Sequence, residues 1–269
     1  MIWVNGHPCC ELAVADRGLQ FGDGCFTTGH VYQGLLLDRD AHILRLQSTC
    51  ERLAIREVDW SALAITLDQA CQYSQDEQVL KVIITRGRGG RGYSPKGCSS
   101  PTVIVSLHPF PRHYHHWQQH GVALATTQMQ LGASPFAGLK HLNRLEQVRL
   151  KLALEDVEAD DFVVADMFGN LVETTASNLF WCQDHVIYTP DLAYAGVAGL
   201  MREKVMAVIE GFTDYQCKTV AVDETALWCA DEVFICNTLM KVVPVTSINE
   251  TSYKTHTLTR RLQQRLNAC

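Results

Sequence analysis

The chain lacks most of the patterns by which an activity is read from sequence. Its eleven cysteines are odd in number and scattered from Cys9 to Cys269, with no C-x-x-C pair, so neither a disulfide framework nor a zinc site is indicated. No apolar run reaches the roughly 20 residues that span a bilayer. The opening Met1-Ile-Trp-Val-Asn-Gly-His7 has no basic stretch followed by an apolar core, as a signal peptide would. A Walker loop, a G-x-S-x-G elbow and an H-E-x-x-H helix are all missing, which removes the usual grounds for an NTPase, a serine hydrolase or a zinc protease. Positive charge is in deficit, with 23 Lys and Arg against 29 Asp and Glu, a net charge of -6. That balance argues against tracking a phosphate backbone, which needs clustered cations. Repeats and low-complexity tracts are absent too. The expectation is a soluble cytoplasmic chain with reduced thiols and with no nucleic-acid, membrane or metal partner.

What is present suits a globular protein: 269 residues, 47% hydrophobic and 19% charged, enough for one large domain or two moderate ones. The N-terminal part reads as strands at 1–4 and 25–32, then a helix opened by Asp38 or Asp40 and running to about Arg52. Ile43, Leu46, Cys50 and Leu53 share one face of that helix. A second helix is expected near 61–73, and strands at 79–85 and 102–107. At 108–116 two prolines and several histidines, without clear periodicity, read as a connection. His113, His115, His116 and His120 have no acidic or thiol neighbour to complete a metal site, so a solvated loop is expected. Beyond it come a strand at 122–129, a helix with Leu142, Leu145, Val148 and Leu152 on one face, and short strands at 162–165, 171–173, 178–182 and 186–188. Then follow a helix carrying Met201, Val205 and Val208, a strand at 219–222, a short helix at 224–229, a strand at 232–236 and a terminal helix at 253–266. Strands outnumber a simple βαβ alternation, which predicts an α+β fold. The domains expected are a small α+β one at 1–110, a linker at 111–120 and a larger α+β one at 121–269.

Several segments can carry chemistry. Lys140 stands in Gly138-Leu-Lys-His-Leu-Asn-Arg144, between a glycine turn and an amphipathic run. In a cleft, desolvation would make its neutral amine accessible, as a Schiff-base lysine requires, although most lysines are solvated surface groups. Glu173, in Leu-Val-Glu-Thr-Thr, lies between two apolar stretches and can face a ring nitrogen. The segment 86–92, Arg-Gly-Arg-Gly-Gly-Arg-Gly, offers either a carboxylate platform or a flexible solvated hairpin. Gly196 to Gly199 opens a helix and is the better phosphate candidate, because free N–H groups at a helix start bind anions. Arg45 and Arg52 both lie off the apolar stripe of their helix, and periodicity does not choose between them. After the Gly-Asp-Gly turn at 22–24, Thr27 and Thr28 point to opposite faces of a strand, so at most one faces a given cleft.

In their order and spacing these segments resemble the class IV, or D-amino-acid and branched-chain type, pyridoxal-phosphate enzymes. The motifs are Ala15-Asp-Arg17, Gln20-Phe-Gly-Asp-Gly-Cys-Phe-Thr-Thr28, His42-Ile-Leu-Arg-Leu46, Thr85-Arg-Gly-Arg-Gly-Gly-Arg-Gly-Tyr93, Gly138 to Arg144, Glu173 to Phe180 and Ile235-Cys-Asn-Thr-Leu-Met240. The resemblance covers essentially the whole chain. It implies two α+β domains with pyridoxal 5'-phosphate between them, in a homodimer whose partner chain helps close the site. It implies Lys140 as the Schiff-base lysine, with His141 a weaker alternative base, and Glu173 as the pyridine-nitrogen partner. Arg45, the main chain at Gly199, Leu200 and Met201, and the turn at Asn237 and Thr238 would hold the phosphate. Arg91 and Tyr93 would recognise a substrate carboxylate. Aminotransferases of this type carry an aromatic-Glu pair where this chain has Thr27-Thr28. That departure, with Lys140-His-Leu-Asn-Arg-Leu, resembles the lyase branch. The branch implies cleavage of 4-amino-4-deoxychorismate, supplied by aminodeoxychorismate synthase, to 4-aminobenzoate and pyruvate in folate synthesis, with Thr28 as a proton donor. Transamination of D-amino or branched-chain acids is the alternative.

Overall fold

The computed structural model describes residues 1–73 and 75–266, so Cys269 lies outside the described residues. The chain divides into two compact units: Met1–Pro111 together with Lys140–Asn143, and Arg112–Leu139 together with the chain from Arg144 onward.

The first unit contains β1 (Ile2–Val4), β2 (His7–Pro8), α1 (Arg17–Phe21), β3 (Gly24–Tyr32), β4 (Leu35–Leu36), α2 (Arg39–Arg52), α3 (Trp60–Gln72), β5 (Gln78–Thr85) and β6 (Thr102–Pro109). Among the described residues its six strands form one antiparallel sheet in the order β2-β1-β6-β5-β3-β4. β3 pairs with β5 along its length, from Gly24 opposite Thr85 to Val31 opposite Gln78. Alternation along β3 buries Cys25, Thr27 and Val31, while Phe26 and Thr28 are half-buried on the other face. Leu46 and Cys50 of α2 enter the core cluster of Cys25 and Val31, with Ile43 and Leu53 packed against it, as their spacing predicts. The cap of α2 differs from expectation. Asp38 occupies the N-cap at φ 57 without a side-chain capping bond, whereas Asp59, not singled out from sequence, caps α3 by accepting from Ala62 N at 2.8 Å.

The second unit contains α4 (His113–His120), β7 (Val122–Thr126), α5 (Leu145–Leu154), β8 (Asp161–Ala165), β9 (Leu171–Thr174), β10 (Asn178–Gln183), β11 (Val186–Pro190), α6 (Leu200–Glu210), β12 (Gln216–Val220), α7 (Thr225–Trp228), β13 (Glu232–Asn237), β14 (Lys241–Ile248), β15 (Thr251–Ser252) and α8 (Thr257–Leu266). Its described strands run β12-β11-β10-β13-β14-β7-β8-β9, with β15 on β14. The pairs β11/β12, β14/β7 and β7/β8 are parallel and the others antiparallel. The mixed α+β class is the one expected. Register and packing agree in the core: Phe180 pairs with Phe234 across β10 and β13, and their rings stack at 5.0 Å.

Three readings need correction. The segment at 111–120 is not an irregular loop but contains α4, because Tyr114 and Trp117, three apart, pack against the core cluster of β7 and β14. Its histidines are exposed, as a solvated stretch requires. β14 is a central strand that the sequence reading omitted, its Pro244 notwithstanding. Of the face Leu142, Leu145, Val148 and Leu152, Leu142 lies before α5 and the other three are 73%, 61% and 58% exposed, while Leu150 is the buried residue of α5.

The short helix α1 is fastened by Asp16, which is 1% exposed. Its Oδ1 accepts from Gly18 N at 2.8 Å, and its Oδ2 accepts from Thr102 Oγ1 at 2.7 Å and Thr85 Oγ1 at 3.0 Å. Asp16→Ala strands three donors, one on α1 and two on the strands beneath, and should lower stability by about 3 kcal/mol. Urea unfolding of the variant measures this, and a change below about 1 kcal/mol would show that the aspartate holds nothing in place.

Candidate active site

Lys140 is placed by backbone pairing with β3. Phe26 N donates to Lys140 O at 2.9 Å and Leu142 N to Gly24 O at 3.0 Å, with an antiparallel bridge between Cys25 and His141. The approach needs glycine at 24, where a Cβ would lie 2.4 Å from Ile84 O and 2.8 Å from Leu142 Cδ1. The Nζ of Lys140 sits 4.7 Å from the centroid of the Phe26 ring, and Lys81 Nζ lies 5.1 Å from the same ring. His141 Nδ1 accepts from Asn143 N at 3.2 Å, which commits that nitrogen to the local turn.

The strand register separates the two threonines. Thr27 is buried on the face covered by α2, where its Oγ1 lies 2.6 Å from His42 Nδ1 and accepts a short hydrogen bond from Arg45 Nη2. Thr28 takes the face of Phe26, the ring that carries the Lys140 amine. Arg45 is thus fixed through Thr27 and its neighbour His42, a buried residue that the sequence reading did not single out. The signal for it was the three-residue spacing that puts positions 42 and 45 on one helix face. Beside them Cys25 and Cys50 lie with their Sγ atoms 3.7 Å apart, and the hydrogen bond to Cys50 and burial push the Cys25 thiol far above its ordinary value.

The Arg-rich glycine segment does not act as one platform. Arg86 is committed inward: its Nε and Nη2 bind Asp23 at 2.8 and 2.9 Å, and its Nη1 and Nη2 reach Ala54 O and Leu53 O at 2.7 and 2.8 Å. Arg88, Arg91 and Tyr93 are exposed. Arg91 and Ser94 exchange backbone hydrogen bonds at 3.2 and 3.1 Å, so the two side chains proposed for carboxylate recognition stand on a tight turn.

The second unit gathers the remaining residues. Glu173 on β9 is 6% exposed, and its Oε2 accepts from Val197 N at 3.0 Å. Burial pushes the Arg144 guanidinium below its ordinary value, against the opposing pull of the Glu173 carboxylate. Gly199 is the N-cap of α6 and has no side chain to cap it; a Cβ there would stand 2.1 Å from Asn178 Oδ1. The first-turn amides at Leu200 and Met201 therefore belong to a helix start suited to an anion. Asn178 lies opposite Cys236, next to Asn237. The Asn237 Oδ1 accepts from Leu239 N and Met240 N, both at 2.9 Å, shaping the turn that presents Thr238. Lys140, Thr28, Arg45, Arg91 and Tyr93 thus belong to the first unit, and Glu173, Gly199, Leu200, Met201, Asn237 and Thr238 to the second.

Similarity to known proteins is consistent along the chain. A model of the amino-transferase class IV family matches residues 24–248. The chain is 40% identical to an aminodeoxychorismate lyase of Vibrio harveyi, over 99% of this chain and 100% of that protein. It is 31% identical to a D-alanine aminotransferase of Bacillus licheniformis, over 89% of this chain and 84% of that one. The crystal structure of a 4-amino-4-deoxychorismate lyase from Pseudomonas aeruginosa superposes with a TM-score of 0.93 at 39% identity, covering 98% of this chain and 97% of that chain.

The unequal surroundings of the two threonines give a direct test. Thr27→Val removes the partner of His42 and Arg45 inside the core and should cost about 1–2 kcal/mol of stability. Thr28→Val, on the half-buried face, should cost clearly less. Thermal unfolding of the two variants compares them, and an equal or reversed order would contradict the register described.

Proposed function

The chain belongs to the amino-transferase class IV family, and on that premise we propose that it is an aminodeoxychorismate lyase, cleaving 4-amino-4-deoxychorismate to 4-aminobenzoate and pyruvate. One observation carries the reading: the whole chain, with Lys140 in its Lys-His-Leu-Asn-Arg context, is similar to lyases from end to end. Thr27-Thr28 in place of an aromatic-Glu pair supports the lyase over the aminotransferase.

Pyridoxal 5'-phosphate fits the residues present. An uncapped helix start at Gly199, Leu200 and Met201, the Asn237-Thr238 turn and the Arg45 guanidinium suit its phosphate. The buried carboxylate of Glu173 suits its pyridine nitrogen, and Lys140 its aldehyde. When bound, the group supplies an acceptor for the electron pair left at the amine-bearing carbon of the substrate. Glu173, its carboxylate oriented by the Val197 N–H, would hold a proton at the pyridine nitrogen. Lys140 Nζ would take the ring proton from the amine-bearing carbon of the substrate. Thr28 Oγ1, on the Lys140 side of β3, delivers a proton to the methylene carbon of the departing enolpyruvate. Arg91 and Tyr93 hold a substrate carboxylate. Formation of the aromatic ring of 4-aminobenzoate drives the step forward.

The surroundings of the reaction follow the same reading. The substrate comes from aminodeoxychorismate synthase, and the product serves folate biosynthesis. We assign the chain to the cytoplasm, where the ten described cysteines, all free thiols, would stay reduced. Among the described residues no helix is long and apolar enough to cross a membrane. A homodimer is supported by α5, whose Leu145, Val148 and Leu152 present an apolar stripe to solvent.

Two measurements test this. Purified protein should bind the cofactor as a species fixed by borohydride and should release 4-aminobenzoate, with Lys140→Ala losing about 10³-fold or more in turnover. Conversion of the cofactor by an amino acid, without release of the aromatic amine, would favour the aminotransferase instead. Val148→Asp should shift sedimentation from dimer to monomer, and an unchanged dimer would place the interface elsewhere.

A further inference from the structure

The loop that carries Arg91 and Tyr93 is held from below by one buried cation. Arg17 on α1 is only 4% exposed, while Tyr93 above it is 88% exposed. The Arg17 Nη1 donates to Gly92 O at 2.9 Å and to Ser94 O at 3.5 Å, and its Nη2 donates to Tyr93 O at 3.1 Å. The guanidinium thus grips successive carbonyls of the turn closed by Arg91 and Ser94. Its Nε donates to Asp23 Oδ2 at 2.9 Å, so the buried charge is paired. Burial pushes the Asp23 carboxyl up, but hydrogen bonds from Arg86 and Arg17 outweigh that and hold it below the usual carboxylate range. Phe21 links Arg17 to Tyr93, its ring centroid 4.8 Å from the Arg17 guanidinium carbon and 5.5 Å from the tilted Tyr93 ring.

We propose that Arg17 is a positioning residue for substrate recognition: it fixes the main chain at 92–94 so that Arg91 and Tyr93 meet the carboxylate of the substrate in one geometry. The proposal rests on the lyase reading above. A planar fork with donors on three nitrogens reaches Asp23 and the carbonyls together, whereas a lysine ammonium, though equally charged, is a single point of donation. Arg17 is buried with its three nitrogens bound to Asp23 and the loop carbonyls, so its loss acts through Arg91 and Tyr93 and falls on substrate binding.

The test uses the cofactor-loaded enzyme. Arg17→Lys should raise KM for 4-amino-4-deoxychorismate by about tenfold, with kcat and bound cofactor within about twofold of wild type. In the Arg91→Ala background the same substitution should add little, since both changes act through one group. Hydrogen exchange at the amides of residues 91–94 should quicken by about tenfold in Arg17→Lys. Phe21→Leu, which keeps the guanidinium, should raise KM by about threefold and serves if Arg17→Lys does not fold. Parallel losses in kcat and cofactor content with KM unchanged would overturn the proposal, as would full additivity with Arg91→Ala. If the wild type releases no 4-aminobenzoate, the lyase reading falls. The exchange experiment then decides for Arg17 alone, and unchanged exchange at 91–94 would sink its role in holding the loop.

Discussion

Two backbone hydrogen bonds decide where Lys140 stands: Phe26 N to Lys140 O and Leu142 N to Gly24 O. They add the segment Lys140–Asn143 to the first unit, although the chain on either side of it belongs to the second. Everything proposed for Lys140 depends on this short pairing. It sets the amine over the Phe26 ring and puts Thr28 on the same face of β3. It tolerates no side chain at Gly24, so the Gly-Asp-Gly turn is as much a condition for the lysine as the lysine's own motif.

Buried polarity is met by charge at some places and by the main chain at others. In the first unit Asp23 lies between Arg17 and Arg86, and both arginines spend their remaining donors on carbonyls, while Asp16 accepts from Gly18 N and two threonine hydroxyls. In the second, Asp161 pairs with Lys151 Nζ at 2.9 Å, and several other polar side chains are met by the main chain. Glu173 accepts from Val197 N, Asn237 from two amides of its own turn, and Glu232 from Leu258 N and Thr259 N at the start of α8. Such bonds orient a carboxylate through main-chain N–H groups, and beside Glu173 the Arg144 guanidinium adds a positive charge.

Much of this was legible in the chain. Lys140 and Glu173 could be named because each stands in a motif with a stated chemical need, and the stripes of α2 and α6 were read from three- and four-residue spacing. What was not legible depended on tertiary context. Alternation shows that Thr27 and Thr28 diverge, but only the packing of α2 on β3 says which one is covered. Leu145, Val148 and Leu152 have the period of a core face, and period does not say whether a face is covered by the same chain. α4 was hidden by its histidines, although Tyr114 and Trp117 carried its apolar contact. β14 was hidden by Pro244, and Arg86 among the glycines gave no sign that it turns inward.

The anchoring of the 91–94 turn has a consequence for how such a protein diversifies. Its position is held through carbonyl oxygens, which every amino acid possesses, while the side chains at 91 and 93 point into solvent. The three carbonyl contacts of the clamp therefore do not depend on which side chains stand at 91 and 93. A turn built this way keeps its main chain in place through a buried arginine while the side chains it displays are open to variation.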